Sequence, residues 1–221
     1  MYSFLFSKIN EVSDLNLKIC RGYLEDEKIV VFPWIFASEL DLDDVNIDFF
    51  SVGGKHYEKY ISQLSLLGFS RENVIIVNPY KVTKKEVKDV LDKNNYIFIP
   101  GGNPEMFMTL AIRLGVLEFF TNYKGNVIGE SAGSDLQFEL YQIPKENNFY
   151  NCSSYYNGFG LIKGKYIIDV HSQKNEYYRK ELTRLACMKN LKIFTIDNNS
   201  CIIVNRKNNE IIKIGNIDEV N

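Results

Sequence analysis

Residues 126–134, with the sequence NVIGESAGS, decide the fold of this chain and indicate its chemistry. The first residues of the stretch are apolar and β-branched, which is typical of a buried strand. They run into the pattern Gly-x-Ser-x-Gly around Ser131, and a helix is expected to follow over residues 135–140. A serine on a sharp turn between a strand and a helix has its hydroxyl lifted clear of the sheet. The stretch therefore predicts an α/β fold in which Ser131 is a nucleophile.

The residues around this serine are of the types that a nucleophilic serine requires. The backbone of such a turn crowds the positions two residues before and after the serine, so Gly129 and Gly133 stand where side chains could not fit. The N-terminus of the following helix directs free amides at a developing oxyanion, beginning with the N–H of Ala132. A structural turn could contain the same glycines, but its place between a strand and a helix favours a catalytic serine.

Short apolar runs elsewhere in the chain predict the rest of the sheet. Strands are expected over residues 28–35, 74–77, 96–100, 126–129, 166–170, 193–196 and 201–204, and residues 210–214 are expected to pair last. Helical patterns lie over residues 57–67, 106–120, 136–140 and 177–188. Apolar strands separated by helices are typical of a mainly parallel, doubly wound sheet with helices on both faces.

Two segments complete the expected architecture. The turn-forming run DNNS at residues 197–200 predicts a hairpin between the strands that flank it, which gives the sheet an antiparallel C-terminal edge. Residues 7–27 have the weakest pattern and are interpreted as a strand followed by a polar excursion. We expect one α/β domain over residues 1–221.

Composition excludes several classes of protein. The chain has 45% hydrophobic and 24% charged residues, so it can bury a core and stay in solution. A net charge of −2 gives no electrostatic footprint for nucleic acid or for an anionic membrane. No stretch approaches the roughly 20 apolar residues that span a bilayer. The N-terminus lacks a basic start and a cleavage site, so a cytoplasmic protein is expected.

No cofactor and no metal are expected. The four cysteines show no C-x-x-C spacing, which argues against a structural zinc site and favours buried reduced thiols. The glycine pair at Gly101 and Gly102 belongs to neither a GxGxxG nor a GKS/T pattern, so neither a dinucleotide nor a phosphate-binding loop is indicated.

A catalytic serine needs a base, and the chain has only two histidines. His56 starts a helical pattern and is interpreted as a solvated or capping residue. His171 directly follows the strand at residues 166–170. Sites in open α/β sheets assemble at the carboxyl ends of strands, so His171 is expected to share one rim with Ser131.

A glycine turn is expected at the same rim. The strand at residues 96–100 runs into Gly101-Gly102-Asn103-Pro104, where Asn103 can cap the next helix and Pro104 can occupy its first position. Capping alone leaves the two glycines unexplained. They allow close approach of the backbone to a ligand, so the Gly102 N–H is expected to be a second oxyanion donor.

These three motifs resemble the dipeptidase E and cyanophycinase family of serine peptidases. The resemblance rests on GGNP at residues 101–104, GESAG at 129–133 and the D-x-H segment at 169–171, and it extends over residues 28–205 with gaps. It implies a fold similar to class I glutamine amidotransferases and a small peptide as the partner. A homodimer is compatible with this interpretation. Ser131 would be the nucleophile and His171 the general base, with the amides of Gly102 and Ala132 as the oxyanion hole.

The resemblance also implies a carboxylate as the third member of a triad. Glu146 fits the family's placement between nucleophile and base, and it lies in a polar loop where a solvated charge is the alternative. Asp169 is a second candidate, since it is two residues before His171. Asp135 and Glu139, on the helix expected after the serine, are expected to be solvated or structural.

The residues that contact substrate are indicated by weaker sequence signals than the catalytic residues. Asn103 is expected to contact substrate, and Arg179 resembles the family's cation for the carboxylate of an N-terminal aspartate. The family often has Asn-Pro-His-Phe around its base, whereas this chain has DVHS at residues 169–172, so the pocket beside the base differs.

Three other functions compete with a peptidase of short peptides. An α/β-hydrolase that cleaves small esters also uses Gly-x-Ser-x-Gly, but its histidine normally follows the last strands. A glutamine amidotransferase needs a cysteine where this chain has Ser131. A catalytically silent binding or regulatory domain could keep the same fold.

Overall fold

The strands and helices place Ser131 at the junction between a central strand and a short helix. The computed structural model describes residues 1–25, 27–36, 42–143, 154–170 and 176–221. The strands are β1 (Tyr2–Phe6), β2 (Ile29–Val31), β3 (Val74–Ile76), β4 (Tyr96–Ile99), β5 (Asn126–Glu130), β6 (Leu140–Ile143), β7 (Ser154–Asn157), β8 (Tyr166–Val170), β9 (Lys192–Ile196), β10 (Cys201–Asn205), β11 (Glu210–Ile214) and β12 (Ile217–Val220). The helices are α1 (Asp14–Arg21), α2 (Leu42–Phe50), α3 (Lys55–Leu66), α4 (Lys84–Lys93), α5 (Pro104–Arg113), α6 (Leu117–Thr121), α7 (Ala132–Asp135) and α8 (Glu176–Lys189). Single 3₁₀ turns cover Ile9–Glu11 and Arg71–Asn73.

The main sheet has seven strands in the order β11-β10-β1-β5-β4-β2-β3. The neighbouring pairs β1–β5, β5–β4, β4–β2 and β2–β3 are parallel, whereas β10 is antiparallel to both β1 and β11. The fold class, a mainly parallel α/β sheet with an antiparallel C-terminal hairpin, is therefore confirmed, and the hairpin is formed by β10 and β11. The strands nearest the centre are apolar along their length because residues on both faces are buried.

Strand β1 lies in the middle of this sheet and was not predicted. Phe4 pairs with Ile128 of β5 on one side and with Ile203 of β10 on the other. Phe4, Leu5 and Phe6 are fully buried. The N-terminal strand therefore connects the site-bearing half of the sheet to the C-terminal hairpin.

The interpretation of residues 7–27 as a strand and a polar excursion is wrong. This segment contains α1, whose N-cap Ser13 accepts a hydrogen bond from the Asn16 N–H at 3.4 Å. Leu17 and Cys20 are buried on one face of the helix, while most of its other side chains are exposed. Few apolar residues on one narrow face make such a helix resemble a polar loop in sequence.

The predicted hairpin around the DNNS turn is also wrong. Strand β9 pairs in parallel with β8 and antiparallel with β12, and these three strands form a second sheet. The turn instead leads the chain from the second sheet into the first. Its side chains hold the N-terminal segment, since the Asn198 carbonyl accepts from the Ser7 hydroxyl at 2.8 Å and the Asn199 carbonyl accepts from the Ser13 N–H at 2.6 Å.

The helices differ from expectation at two places. The pattern over 106–120 is two helices, α5 and α6, because Gly115 adopts φ +66° between them. The helix expected over 136–140 is absent: α7 ends at Asp135, and β6 begins at Leu140. Within the part of the chain that the structure describes, no helix combines the length and apolar character needed to cross a bilayer.

Helix α7 is fixed to the sheet by one buried hydroxyl. Ser134 is fully buried, and its Oγ accepts the Phe6 N–H at 3.0 Å. The same oxygen lies 2.9 Å from the Phe6 carbonyl oxygen and 2.8 Å from that of Gly129. Ser134 thus joins α7 to both β1 and β5.

We predict that Ser134→Ala lowers the free energy of unfolding by about 2 kcal/mol, because it leaves the buried N–H of Phe6 without its acceptor. Urea unfolding measures this change. The matched control is Ser65→Ala on α3, which removes one hydrogen bond to the Ile61 carbonyl and should change stability by less than about 0.5 kcal/mol. Equal effects of the two substitutions would contradict the proposed tie.

Candidate active site

Ser131 has a backbone conformation that ordinary residues avoid. Its φ is 50° and its ψ is −119°, and it connects β5 directly to α7. Its N–H donates to the Phe6 carbonyl oxygen of β1 at 2.8 Å. A side chain at positive φ is costly unless its surroundings impose it, and such residues cluster at functional sites. Ser131 is half-buried, whereas Ala132 and the rest of α7 are buried.

The two glycines of the motif are required by close backbone contacts. A Cβ at Gly129 would overlap the Gly133 carbonyl, and a Cβ at Gly133 would overlap the Ile99 carbonyl of β4. Backbone atoms on both sides therefore occupy the space of any side chain. The expectation that side chains cannot fit at these positions is confirmed.

The second glycine turn lies against Ser131. A Cβ at Gly101 would lie 3.0 Å from the Ser131 Cβ. Gly102 has φ +151°, and a Cβ there would overlap the carbonyl of Ile35. The Asn103 N–H donates to that same Ile35 carbonyl at 2.6 Å. The parallel strands β4 and β5 therefore bring the glycine turn and the serine together, as predicted.

The amides assigned to the oxyanion hole lie on this edge of the sheet. Ala132 is the first residue of α7, and a first-turn N–H has no acceptor within its own helix. Gly102 precedes the cap of α5. Their role as oxyanion donors stays a prediction.

Asn103 caps α5. Its side-chain carbonyl accepts the N–H of Glu105 at 3.0 Å and that of Met106 at 3.2 Å, and Pro104 is the first helical residue. The predicted capping role is confirmed. The substrate contact assigned to Asn103 stays a prediction.

Two buried carboxyl groups lie where α7 packs against β8. Asp169 is 2% exposed, and its Oδ1 accepts the Tyr178 hydroxyl at 2.5 Å. Asp135 on α7 is also buried. Burial, with a smaller contribution from the negative charge of Asp169, raises the pKa of Asp135 well above its ordinary value. Asp135 is therefore structural rather than solvated, while Glu139 is exposed as expected.

The predicted base and one of its carboxylate candidates, His171 and Glu146, lie outside the described residues. The strand that precedes His171 is β8, which belongs to the second sheet. The expectation that three strands of one sheet form the rim is therefore wrong in this detail. Helix α7 nevertheless packs against β8, and Asp135 interacts with Asp169 near the end of that strand.

His56 is neither capping nor fully solvated. Its ring stacks on Phe49 with centroids 4.0 Å apart, and burial followed by the charge of Lys59 lowers its pKa. Gly54 is the N-cap of α3. These contacts give His56 a structural role between α2 and α3.

Arg179 lies on α8 with its side chain 66% exposed. Its Nη2 is 3.9 Å from a carboxylate oxygen of Asp218, a long ion pair on the surface. Its assignment as the cation for a substrate carboxylate stays a prediction. Among the described residues, no group of three or more His, Cys, Asp or Glu side chains is arranged to hold a metal ion.

Two polar side chains that support the serine turn were not identified from the sequence. Ser134 follows the motif directly, and Gln137 is fully buried with its Nε2 3.3 Å from the Gly133 carbonyl. Polar residues at apolar positions of the segment after a motif are the signal that could have identified them.

We predict that Gly133→Ala lowers the free energy of unfolding by about 3 kcal/mol, because α7 and β4 must separate to admit a methyl group. Gly68→Ala is the control, since Gly68 has φ +98° but open space at its Cβ position; strain alone should then cost about 1 kcal/mol. Thermal or urea unfolding compares the two. A Gly133→Ala protein as stable as the Gly68→Ala protein would contradict the close contact of α7 with β4.

The fold and sequence can be compared with known proteins. A Listeria monocytogenes EGD-e protein, provisionally named peptidase E, has a similar structure with a TM-score of 0.60 and 19% identity, over 99% of this chain and 96% of that one. A peptidase from an acI-B1 actinobacterium gives a TM-score of 0.59 and 16% identity, over 91% and 82% of the two chains. At these identities the likeness shows the fold alone. Among curated proteins none matches this chain.

The sequence itself matches one family model. The model of peptidase family S51 covers residues 54–212, which include Gly102, Ser131 and the histidine at position 171. This span is most of the chain and contains every motif on which the predicted chemistry depends. The chain therefore belongs to peptidase family S51 and is a serine-type peptidase.

Proposed function

We propose that the protein hydrolyses short peptides through a Ser131–His171–Glu146 triad. The observation that supports this most strongly is the backbone of Ser131, which has positive φ at the junction of β5 and α7. Such a turn holds the hydroxyl away from the strand, where a substrate carbonyl can reach it. The family match supports the same reaction class.

In the proposed reaction Ser131 Oγ attacks the peptide carbonyl carbon while the imidazole of His171 takes the hydroxyl proton. The tetrahedral oxyanion is stabilised by the N–H groups of Gly102 and Ala132. The imidazolium then gives its proton to the leaving amine as the C–N bond breaks. A water molecule, activated by the same imidazole, releases the carboxylic acid and restores the serine.

The environment of Asp169 favours Glu146 as the third member. Asp169 is buried and already accepts the Tyr178 hydroxyl, so its carboxylate ties α8 to β8. We therefore assign Asp169 a structural role and Glu146 the orientation of the imidazole.

Dipeptides with N-terminal aspartate are the proposed substrates. Arg179 is mainly exposed, and its ion pair with Asp218 is long, so its guanidinium can exchange that partner for a substrate carboxylate at little cost. Asn103 lies at the edge of the glycine turn and would contact the same substrate. We propose the cytoplasm as the compartment. The described cysteines Cys20, Cys187 and Cys201 are free thiols, which is typical of proteins in a reducing compartment.

We predict that wild-type protein cleaves members of a panel of Asp-x, Glu-x and Ala-x dipeptides and that Ser131→Ala lowers kcat by roughly 10⁶-fold. Liberated amino acids are measured by a ninhydrin or mass-spectrometric assay. A panel of short acyl esters run in parallel separates a peptidase from an esterase. Cleavage of esters but of no peptide would support the esterase, and no turnover of either class would support a catalytically silent domain.

We predict a different response for the two candidate carboxylates. Glu146→Gln should lower kcat by about 10³- to 10⁴-fold, because the imidazole loses the negative charge that fixes its tautomer and stabilises the imidazolium. Asp169→Ala should reduce kcat by less than about tenfold while lowering stability, since it removes the buried acceptor of the Tyr178 hydroxyl. The reverse order of the two losses would assign the role to Asp169.

A further inference from the structure

Glu130, the residue before Ser131, has a buried carboxylate with two well-defined donors. It is 3% exposed. Its Oε1 accepts the Ile9 N–H at 3.1 Å and the Gln63 Nε2 at 2.5 Å. A buried carboxylate needs such donors to offset its desolvation.

The two donors come from distant parts of the chain. Ile9 begins the 3₁₀ turn that follows β1, and Gln63 lies on α3 with 1% of its surface exposed. One oxygen atom of Glu130 therefore connects the end of β5 to two separate segments. These two segments also contact each other.

The other carboxylate oxygen is poorly compensated. Glu130 Oε2 is buried and has no hydrogen-bond partner in the described residues; the nearest cation is Lys59 Nζ at 3.8 Å, on a half-exposed side chain. The Tyr60 hydroxyl and the Gln63 Oε1 on the same helix are also buried without partners in that part of the chain. The charge of Glu130 and burial together raise the pKa of Tyr60, with burial the larger cause.

This arrangement is a poor one for stability alone. A buried charge with incomplete partners is generally less stable than an apolar side chain of similar size. Local choices that cost stability are expected mainly at functional sites. A polar acceptor buried at this position, whether charged or neutral, therefore calls for a functional explanation.

Its location supplies that explanation. A Cβ at Gly101 would lie 3.7 Å from Glu130 Oε2 and 3.0 Å from the Ser131 Cβ, so the carboxylate is next to both halves of the site. Glu130 also precedes Ser131 directly, so any shift of its backbone changes the strained turn. A positive φ persists only when the surroundings impose it.

We propose that Glu130 is a positioning residue for Ser131, whose two accepted hydrogen bonds hold the serine turn in place against the Gly101–Gly102 turn. The proposal rests on the proposed function of Ser131 as the nucleophile. The positioning depends on the oxygen atom that accepts the two hydrogen bonds and does not need the negative charge.

The test compares two substitutions of equal length, Glu130→Gln and Glu130→Met. The glutamine keeps an oxygen that can accept from Ile9 and Gln63, whereas the methionine fills the space without an acceptor. The readout is covalent labelling by a fluorophosphonate probe, with the maximal rate kinact and the half-saturating concentration KI determined well below each variant's melting temperature. We expect Glu130→Met to lower kinact at least about tenfold with KI nearly unchanged, because misplacing a nucleophile slows the chemical step. Glu130→Gln should remain within about threefold of wild type in kinact.

Arg206→Met is the control for a general loss of stability. The Arg206 guanidinium donates to the carbonyls of Tyr123 and Gly125 at the opposite end of β5, so its loss should lower the melting temperature and leave kinact unchanged. A folded Glu130→Met protein with wild-type kinact would overturn the proposal, as would equal losses in the glutamine and methionine variants. Wild-type protein that does not react at all would instead overturn the proposed function.

Discussion

The backbone of Ser131 is the constraint on which the site depends. Its φ of 50° is tolerated because fixed groups hold the backbone on both sides of it. The Phe6 carbonyl binds its N–H, Ser134 ties α7 to β1 and β5, and backbone contacts of Gly133 with Ile99 leave no room for relaxation. Strain of this kind persists only in a rigid setting, and a rigid setting is what a preorganised nucleophile requires.

Strand β1 has a central part in that setting. It lies between β5 and β10, and Phe6 at its end accepts the Ser131 N–H and donates its own N–H to the Ser134 hydroxyl oxygen. The N-terminal segment therefore supports the serine turn through hydrogen bonds. The side chains of Asn198 and Asn199 bind Ser7 and Ser13, which follow β1. The first residues of the chain contribute to the site although none of them has a chemical role in it.

Local signals in the sequence predicted the parts of the fold that depend on short-range patterns. A few neighbouring residues are enough to indicate the conformation of three segments: the apolar run of β5, the glycines beside Ser131 and the Asn103-Pro104 cap. The partners of β9 and β10 could not be predicted, because a turn such as DNNS fits a hairpin and a crossover between sheets equally well. Strand β1 was missed because a five-residue apolar run at a terminus is short, and its central place is set by pairing with β5 and β10.

The same difference between local and long-range signals applies to the candidate site. Ser131 and the Gly101–Gly102 turn were predicted to meet because adjacent parallel strands end at one edge, and they do. The supports Ser134 and Glu130 were not predicted, since a buried polar side chain is recognised only once its donors and acceptors are placed. The most direct measurement is peptide mapping by mass spectrometry of protein treated with a fluorophosphonate. We predict one adduct per chain, on the peptide that contains Ser131; an adduct confined to another residue, or none at all, would contradict Ser131 as the nucleophile.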